Sequence, residues 1–221
     1  MVIAIDGPSA VGKSTVSQRV ARALGIPHLD TGATYRAAAL VAHDAGAALD
    51  DPLAVLQAID AASIDIAGAR VIVDGVDVTG RLRSETVTHA ASFVATEPAV
   101  RARVVELQRS WVARHGGSAV VEGRDIGTVV FPEAPVKVFL SARPDVRAER
   151  RAGDAEASTK TTAQVAAELA ERDHRDSTRK ASPLKPATDA EIIDTSDLTI
   201  DDVVDRVLAL VATAGRTAPD A

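Results

Sequence analysis

The chain opens on an unbroken apolar run, VIAI at 2–5, that passes into turn residues. Such a run reads as a buried parallel strand, because a strand covered on both faces has no polar side to alternate. Val16, Val20 and Leu24 then recur at i, i+4 and i+8, which predicts an amphipathic helix over 14–24 stopped by Gly25. IPHLD (26–30) reads as a second strand and 34–45 as a helix stopped at Gly46; Pro52 predicts the first turn of a helix over 52–62. The period then changes. Ile64 and Ile66, Val71 and Val73, Val76 and Val78 alternate at period 2, punctuated by Gly68 and Asp74-Gly75, which predicts a small antiparallel meander. Helices follow at 84–95 and 98–115, then apolar strands AVVE (119–122) and VKVFL (136–140) with a loop between them. A helix at 144–152 precedes the polar stretch GDAEASTK (153–160), and Thr161 with Gln164 offers a capping box for a helix at 162–179. EIID (191–194) is the last strand and Thr199 opens the last helix, with 215–221 expected to fray. Strands alternating with helices imply an α/β fold, a parallel sheet covered on both faces.

Composition narrows the function more than the fold. Lys and Arg number 25 against 31 Asp and Glu, a formal charge of −6, so non-specific coating of nucleic acid or of an anionic membrane is disfavoured. One Trp, one Tyr and three Phe leave few rings on which to stack single-stranded bases. With no Cys, thiolate chemistry and Cys-ligated metals are excluded. No apolar run approaches the roughly 18 residues of a membrane span, and MVIAID lacks the basic start of a signal peptide. The expectation is a cytoplasmic protein.

The chemistry is concentrated in a few segments. Gly7-Pro8-Ser9-Ala10-Val11-Gly12-Lys13-Ser14, followed by Thr15, matches G-x-x-x-x-G-K-[ST] between a strand and a helix. Glycines let backbone N–H groups wrap a polyphosphate, and the helix N-terminus adds partial positive charge. Lys13 is expected at the β- and γ-phosphates and the Ser14 hydroxyl on Mg²⁺. A P-loop alone does not separate a kinase from a switch or a motor. Glu122-Gly123-Arg124-Asp125 follows the strand AVV, and Asp30-Thr31-Gly32, with Arg36 a turn later, ends another strand. In open α/β sheets, ligands bind beyond such strand ends, so these segments can converge on one crevice. Arg172, Asp176 and Arg179 fall at i, i+4 and i+7, one helical face; spacing alone favours a solvated face of ion pairs over a site. The five His residues show no metal-ligand spacing.

The stretches IAIDGPSAVGKST, LDTGATYR (29–36), EGRDIGTVVFPEAPVKVFL (122–140) and ERDHRDSTRKASPL (171–184) resemble those of nucleoside monophosphate kinases, most closely the bacterial cytidylate kinases. The resemblance runs from residue 1 to about 210. It implies the P-loop kinase fold: a five-stranded parallel sheet, a small antiparallel β insertion and a short lid. The implied core covers 1–31, 116–150 and 162–214. The implied acceptor-nucleotide domain is 32–115 with its insertion at 63–79, the lid 151–161 and a tail 215–221. It also implies transfer of the ATP γ-phosphate to CMP and dCMP with Mg²⁺, by a monomer without nucleic-acid or membrane partners. Matching positions put acceptor-site residues at Thr31, Arg36, Ser92, Arg101, Arg124, Asp125, Arg172, Asp176 and Arg179. Ser92, Arg101 and Asp125 fall around the base, Arg172 and Asp176 near the ribose, and Arg179 at the acceptor phosphate. Lys13, Arg124, Arg172 and Arg179 are the implied catalytic charges, and Arg150 or Arg151 would reach a phosphate from the lid. Thr31 stands where the family often has Ser, Glu122 where Asp is frequent and Ser177 where a basic residue is frequent, so no magnesium role is carried to 122 and no phosphate role to 177. The competing readings are a P-loop kinase for another small acceptor, such as UMP, and a regulatory NTPase that transfers nothing.

Overall fold

A computed structural model describes residues 1–153, 161–179 and 181–217. Most of the expected lid, 154–160, and the end of the tail lie outside the described residues. The chain divides into two compact units, Met1–His28 with Ala119–Ala221, and Leu29–Ser118.

The first unit is organised by strands β1 (Val2–Asp6), β6 (Ala119–Gly123), β7 (Val136–Ser141) and β8 (Glu191–Asp194). With β2 (His28–Asp30) they form a five-stranded sheet in the order β2-β6-β1-β7-β8. β1 runs parallel to both β6 and β7, and β7 parallel to β8. Ile3, Ala4 and Ile5 are all fully buried, so both faces of β1 are covered, as its unbroken apolar run requires. Helix α1 (Lys13–Leu24) lays Val16 and Val20 on one face beside Val203, Val207 and Val211 of α8 (Ile200–Thr217). Ala214 also packs on this core, and α8 runs to Thr217; the rest of the expected tail lies outside the described residues. Helices α6 (Pro144–Ala152) and α7 (Thr162–Ser177) complete the unit, and the Thr161–Gln164 capping box opens α7 as expected.

Two local features of this unit differ from the sequence expectation. The loop after β6 holds a single turn of π-helix, Ile126–Val130, closed by Val130 N–H to Asp125 O and Phe131 N–H to Ile126 O. Helix α7 ends at Ser177, so Arg179 lies beyond the helix and not on the face it was expected to share. At the C-cap, Thr178 N–H makes the last helical bond to His174 O, and its hydroxyl donates to the same oxygen.

The second unit packs α2 (Thr31–Asp44), α3 (Pro52–Ala61), α4 (Glu85–Val94) and α5 (Pro98–Arg114) beside an antiparallel sheet of β3 (Ile64–Ala67), β4 (Arg70–Val73) and β5 (Val76–Asp77). Ala38, Ala39 and Ala42 let α2 approach Val55, Ile59, Val94, Val100 and Val104 closely. The Trp111 indole N–H donates to Ile66 O, tying α5 to β3. Helix α2 starts three residues earlier than expected because the Asp30 carboxylate accepts the Ala33 N–H and caps it.

Candidate active site

Residues Gly7 to Gly12 leave β1 at its C-terminal end and wrap back to the start of α1. Any side chain at Gly7 would overlap the Leu140 carbonyl oxygen, and Gly12, with φ 90°, is the left-handed residue that turns the chain into α1. The buried Lys13 lies back over the loop, its Nζ donating to Pro8 O. Burial, and then repulsion from Arg124, push the Lys13 ammonium down to about 7, with Glu122 pulling the other way.

Arg124, just past β6, is the fastening of this loop. Its Nη1 donates to Gly7 O at 2.9 Å, its Nη2 to Ser9 Oγ at 2.6 Å and its Nε to Asp176 Oδ2 at 2.8 Å. Asp176 also accepts from Arg179. Burial opposes charge on Asp176, but Arg124 and Arg179, helped by Arg172, hold its carboxyl below the usual range. Glu122, 3% exposed, accepts from Ser14 Oγ at 2.9 Å and meets His28 Nε2 at 2.9 Å. Arg147 of α6 pairs with Asp173 of α7 and reaches Ser9 O. Arg150 is bound to Thr195 through both its side-chain oxygen and its carbonyl.

Asp6 ends β1 beneath this cluster and accepts the N–H groups of Ile126 and Gly127, each at 2.8 Å, so it holds the π-turn that follows Asp125. Burial pushes its carboxyl up to about 6, against those two donors. A raised carboxyl pKa favours the folded state at low pH and loses that advantage as pH rises through about 6. Between pH 5 and 7, wild-type stability relative to an Asp6→Asn variant should therefore fall by about 1 kcal/mol. Urea denaturation at the two pH values checks this; a pH-independent gap would show that Asp6 carries no such penalty.

Asp6, Lys13, Glu122, Asp125 and Asp176 are each 8% exposed or less. So many buried charges are poor stabilisers, since desolvation offsets most of their attraction. Asp6, Glu122 and Asp125 lie at the ends of β1 and β6, with Lys13 at the start of α1 and Asp176 in α7, which makes this group the candidate site for a charged ligand.

In the second unit, Arg36 Nη2 donates to Asp30 Oδ2 at 2.8 Å. Thr31 is buried in the first turn of α2; its carbonyl accepts from Thr34 Oγ1, which in turn accepts from the buried Gln108 Nε2 at 2.7 Å. Arg101, 4% exposed, donates to Ala95 O at the end of α4 and lies 5.4 Å from the centre of the Tyr35 ring. Ser92 donates to Thr88 O within α4.

The sequence profile described as cytidylate kinase matches residues 3–213. The chain belongs to the cytidylate kinase family. A cytidylate kinase of Rhodococcus opacus is 47% identical over 218 residues, covering 96% of this chain and 95% of its own. One of Pelotomaculum thermopropionicum is 47% identical over 221 residues, covering 97% and 96%. An uncharacterized protein of Eubacterium ventriosum shares the fold, with a TM-score of 0.53 at 14% identity, over 96% of this chain and 98% of that one.

Among the family's expected residues, the first unit joins Arg124, Asp176 and Arg179 in one hydrogen-bonded group, with Lys13 in electrostatic reach of Arg124, and Arg172 of Lys13 and Asp176. Asp125 is buried beside Arg124 at the head of the π-turn. Ser14 and Thr15 open α1 on its exposed side. Sequence reading missed Asp6, Arg147 with Asp173, and the His28–Glu122 pair. A lone His before a strand end carries no spacing signal; Glu122 at the end of an apolar strand is the available clue to the pair.

Proposed function

We propose that the chain transfers the γ-phosphate of ATP to CMP, and to dCMP, giving ADP and CDP or dCDP. The observation that carries the reading is the Arg124–Asp176–Arg179 group bonded directly to the P-loop, within a chain that matches the cytidylate kinases from end to end of its described core. A switch NTPase needs a phosphate cradle but no such bank of arginines beside it. The CMP phosphate oxygen is already anionic near neutral pH, so no general base is required. It forms the new bond to the γ-phosphorus while the bond to the ADP oxygen breaks. The protein's work is to align the two polyphosphates and offset their repulsion. Lys13 serves the β- and γ-phosphates, and Arg124, Arg172 and Arg179 the oxygens that gather charge. Ser9, Ala10, Val11 and Gly12 supply backbone around the ATP phosphates.

The donor set suits Mg²⁺. Ser14 Oγ and Glu122 Oε2 lie 2.9 Å apart at the start of α1, both hard oxygen donors. Ser14 would hold the ion with Glu122 beside it, and the ion would neutralise phosphate charge. In the second unit we assign Thr31 and Arg36 to the CMP phosphate and ribose side, and Ser92 and Arg101 to the base. Asp125 is assigned to the base from the first unit. From the family resemblance we assign the activity to a cytoplasmic monomer.

A coupled assay of ADP release with each nucleoside monophosphate, ATP and Mg²⁺ tests the reading. CMP is expected to support turnover far better than UMP. ADP release that needs no acceptor, or that follows another acceptor, would overturn it. Cytosine offers an amine donor at position 4 and acceptors at N3 and O2, a pattern uracil reverses at N3 and position 4. Arg101→Ala is accordingly expected to lower the CMP/UMP ratio of kcat/KM by about tenfold. An unchanged ratio would remove Arg101 from base reading.

A further inference from the structure

We propose that His28 is a positioning residue for magnesium-assisted ATP binding, acting through Glu122 on Ser14. The proposal rests on the ATP-kinase reading above and goes beyond it. His28 begins β2, which neighbours β6 in the sheet, and Glu122 is the fourth residue of β6. The Glu122 carboxylate is held at both ends. Oε2 accepts from Ser14 Oγ and Oε1 meets His28 Nε2, both at 2.9 Å. The Glu122 side chain is 4% exposed and that of His28 14%, so water competes weakly for either contact.

The direction of these bonds follows from the donor inventory. An ionised carboxylate only accepts, so the His28 Nε2 must carry the proton that points at Oε1. Ser14 has a single hydroxyl proton. Committing it to Glu122 leaves the lone pairs of Oγ free for a cation. That commitment holds only while the carboxylate keeps its orientation. A glutamate has three side-chain torsions between backbone and carboxylate, and the last is broad and roughly two-fold. One hydrogen bond to Ser14 does not fix that torsion; a second, from a ring anchored on the neighbouring strand, does. His28 thus sets Glu122, and Glu122 sets Ser14. Glu122 is one step removed from Ser14, and groups so placed commonly change metal affinity by about 10–100-fold when lost; His28, one step further out, is expected at the low end of that range.

The test compares His28→Leu, which fills similar space without a donor, with His28→Gln, whose amide N–H can reach the position of Nε2. ATP affinity is measured by titration calorimetry on the full chain, with and without Mg²⁺ and without CMP. In His28→Leu the gain in ATP affinity due to Mg²⁺ should shrink about tenfold, while Mg²⁺-free ATP binding stays at the wild-type value. His28→Gln should restore the gain to within about threefold. Glu122→Gln should lose at least as much of the gain, and adding His28→Leu to it should cost nothing further. Three results would overturn the proposal: a full Mg²⁺ gain in His28→Leu, equal loss of Mg²⁺-free binding in that variant, or additive losses in the double variant. If His28→Leu does not fold, His28→Gln decides instead: a Mg²⁺ gain as low as that of Glu122→Gln overturns the proposal, and a near-wild-type gain supports it. A wild-type chain that binds Mg²⁺-ATP but leaves CMP unphosphorylated would overturn the functional reading while the calorimetry still decides on His28.

Discussion

Replacing Lys13 by alanine is expected to lower kcat with CMP by roughly 10²–10³-fold, the usual cost of losing one charge aimed at developing negative charge. The unliganded chain holds this ammonium at a disadvantage. Burial, Arg124 and Arg172 push it down to about 7, while Glu122 and Asp6 pull it back. A polyphosphate in the loop reverses that balance, so the lysine is most strongly favoured in its charged form when substrate is present. Its removal should leave the fold intact. The Nζ contact to Pro8 O is a single bond, and alanine is well suited to the first turn of α1. The variant should melt within a few degrees of wild type, and Lys13→Met should match Lys13→Ala in rate if charge and not packing is what matters. Turnover within tenfold of wild type in either variant would remove the lysine from the phosphate-transfer step.

The parts of this molecule legible in its sequence are those set by local rules. Asp51 and Pro52 open α3, Pro98 opens α5 and Thr161 with Gln164 opens α7, each a pattern confined to a few neighbouring residues. The uninterrupted run in β1 already stated that both its faces are covered, and the alternation at 64–78 already stated that the second sheet is antiparallel. What could not be read depends on groups far apart in the chain. Arg124 and Asp176 are 52 residues apart and Arg124 and Gly7 are 117 apart, so no spacing rule brings them together. Arg179 does not share the helical face of Arg172 and Asp176 because α7 ends at Ser177, with Thr178 as its C-cap. Arg179 still reaches Asp176, from a loop instead of a helix turn. The π-turn at 126–130 has no periodic signature, since it depends on the Asp6 carboxylate arriving from β1 to take its first N–H groups.

Arg124→Ala is expected to be as damaging as the loss of Lys13, lowering kcat/KM by roughly 10²–10³-fold for both ATP and CMP. Two effects combine in it. A charge beside the phosphates is lost, and so are the bonds that hold Gly7 O and Ser9 Oγ in place, so the cradle itself is released. Asp176, buried to 4% exposure, then keeps Arg179 as its bonded partner but loses the cation that most favours its ionised form. Leaving a buried carboxylate short of one charged donor costs about 1–3 kcal/mol, to be read as a lower urea midpoint with unchanged slope. The more discriminating variant is Arg124→Lys. It keeps the charge but replaces a planar fork, which serves three acceptors in fixed directions, with a single ammonium on a flexible stem. If the fork is what matters, lysine should recover less than about tenfold of the lost kcat/KM while regaining most of the stability, since one charge near Asp176 suffices for that. Recovery of near-wild-type kcat/KM in Arg124→Lys would mean that Arg124 acts through its charge alone, and that the P-loop holds its shape without the bonds to Gly7 and Ser9.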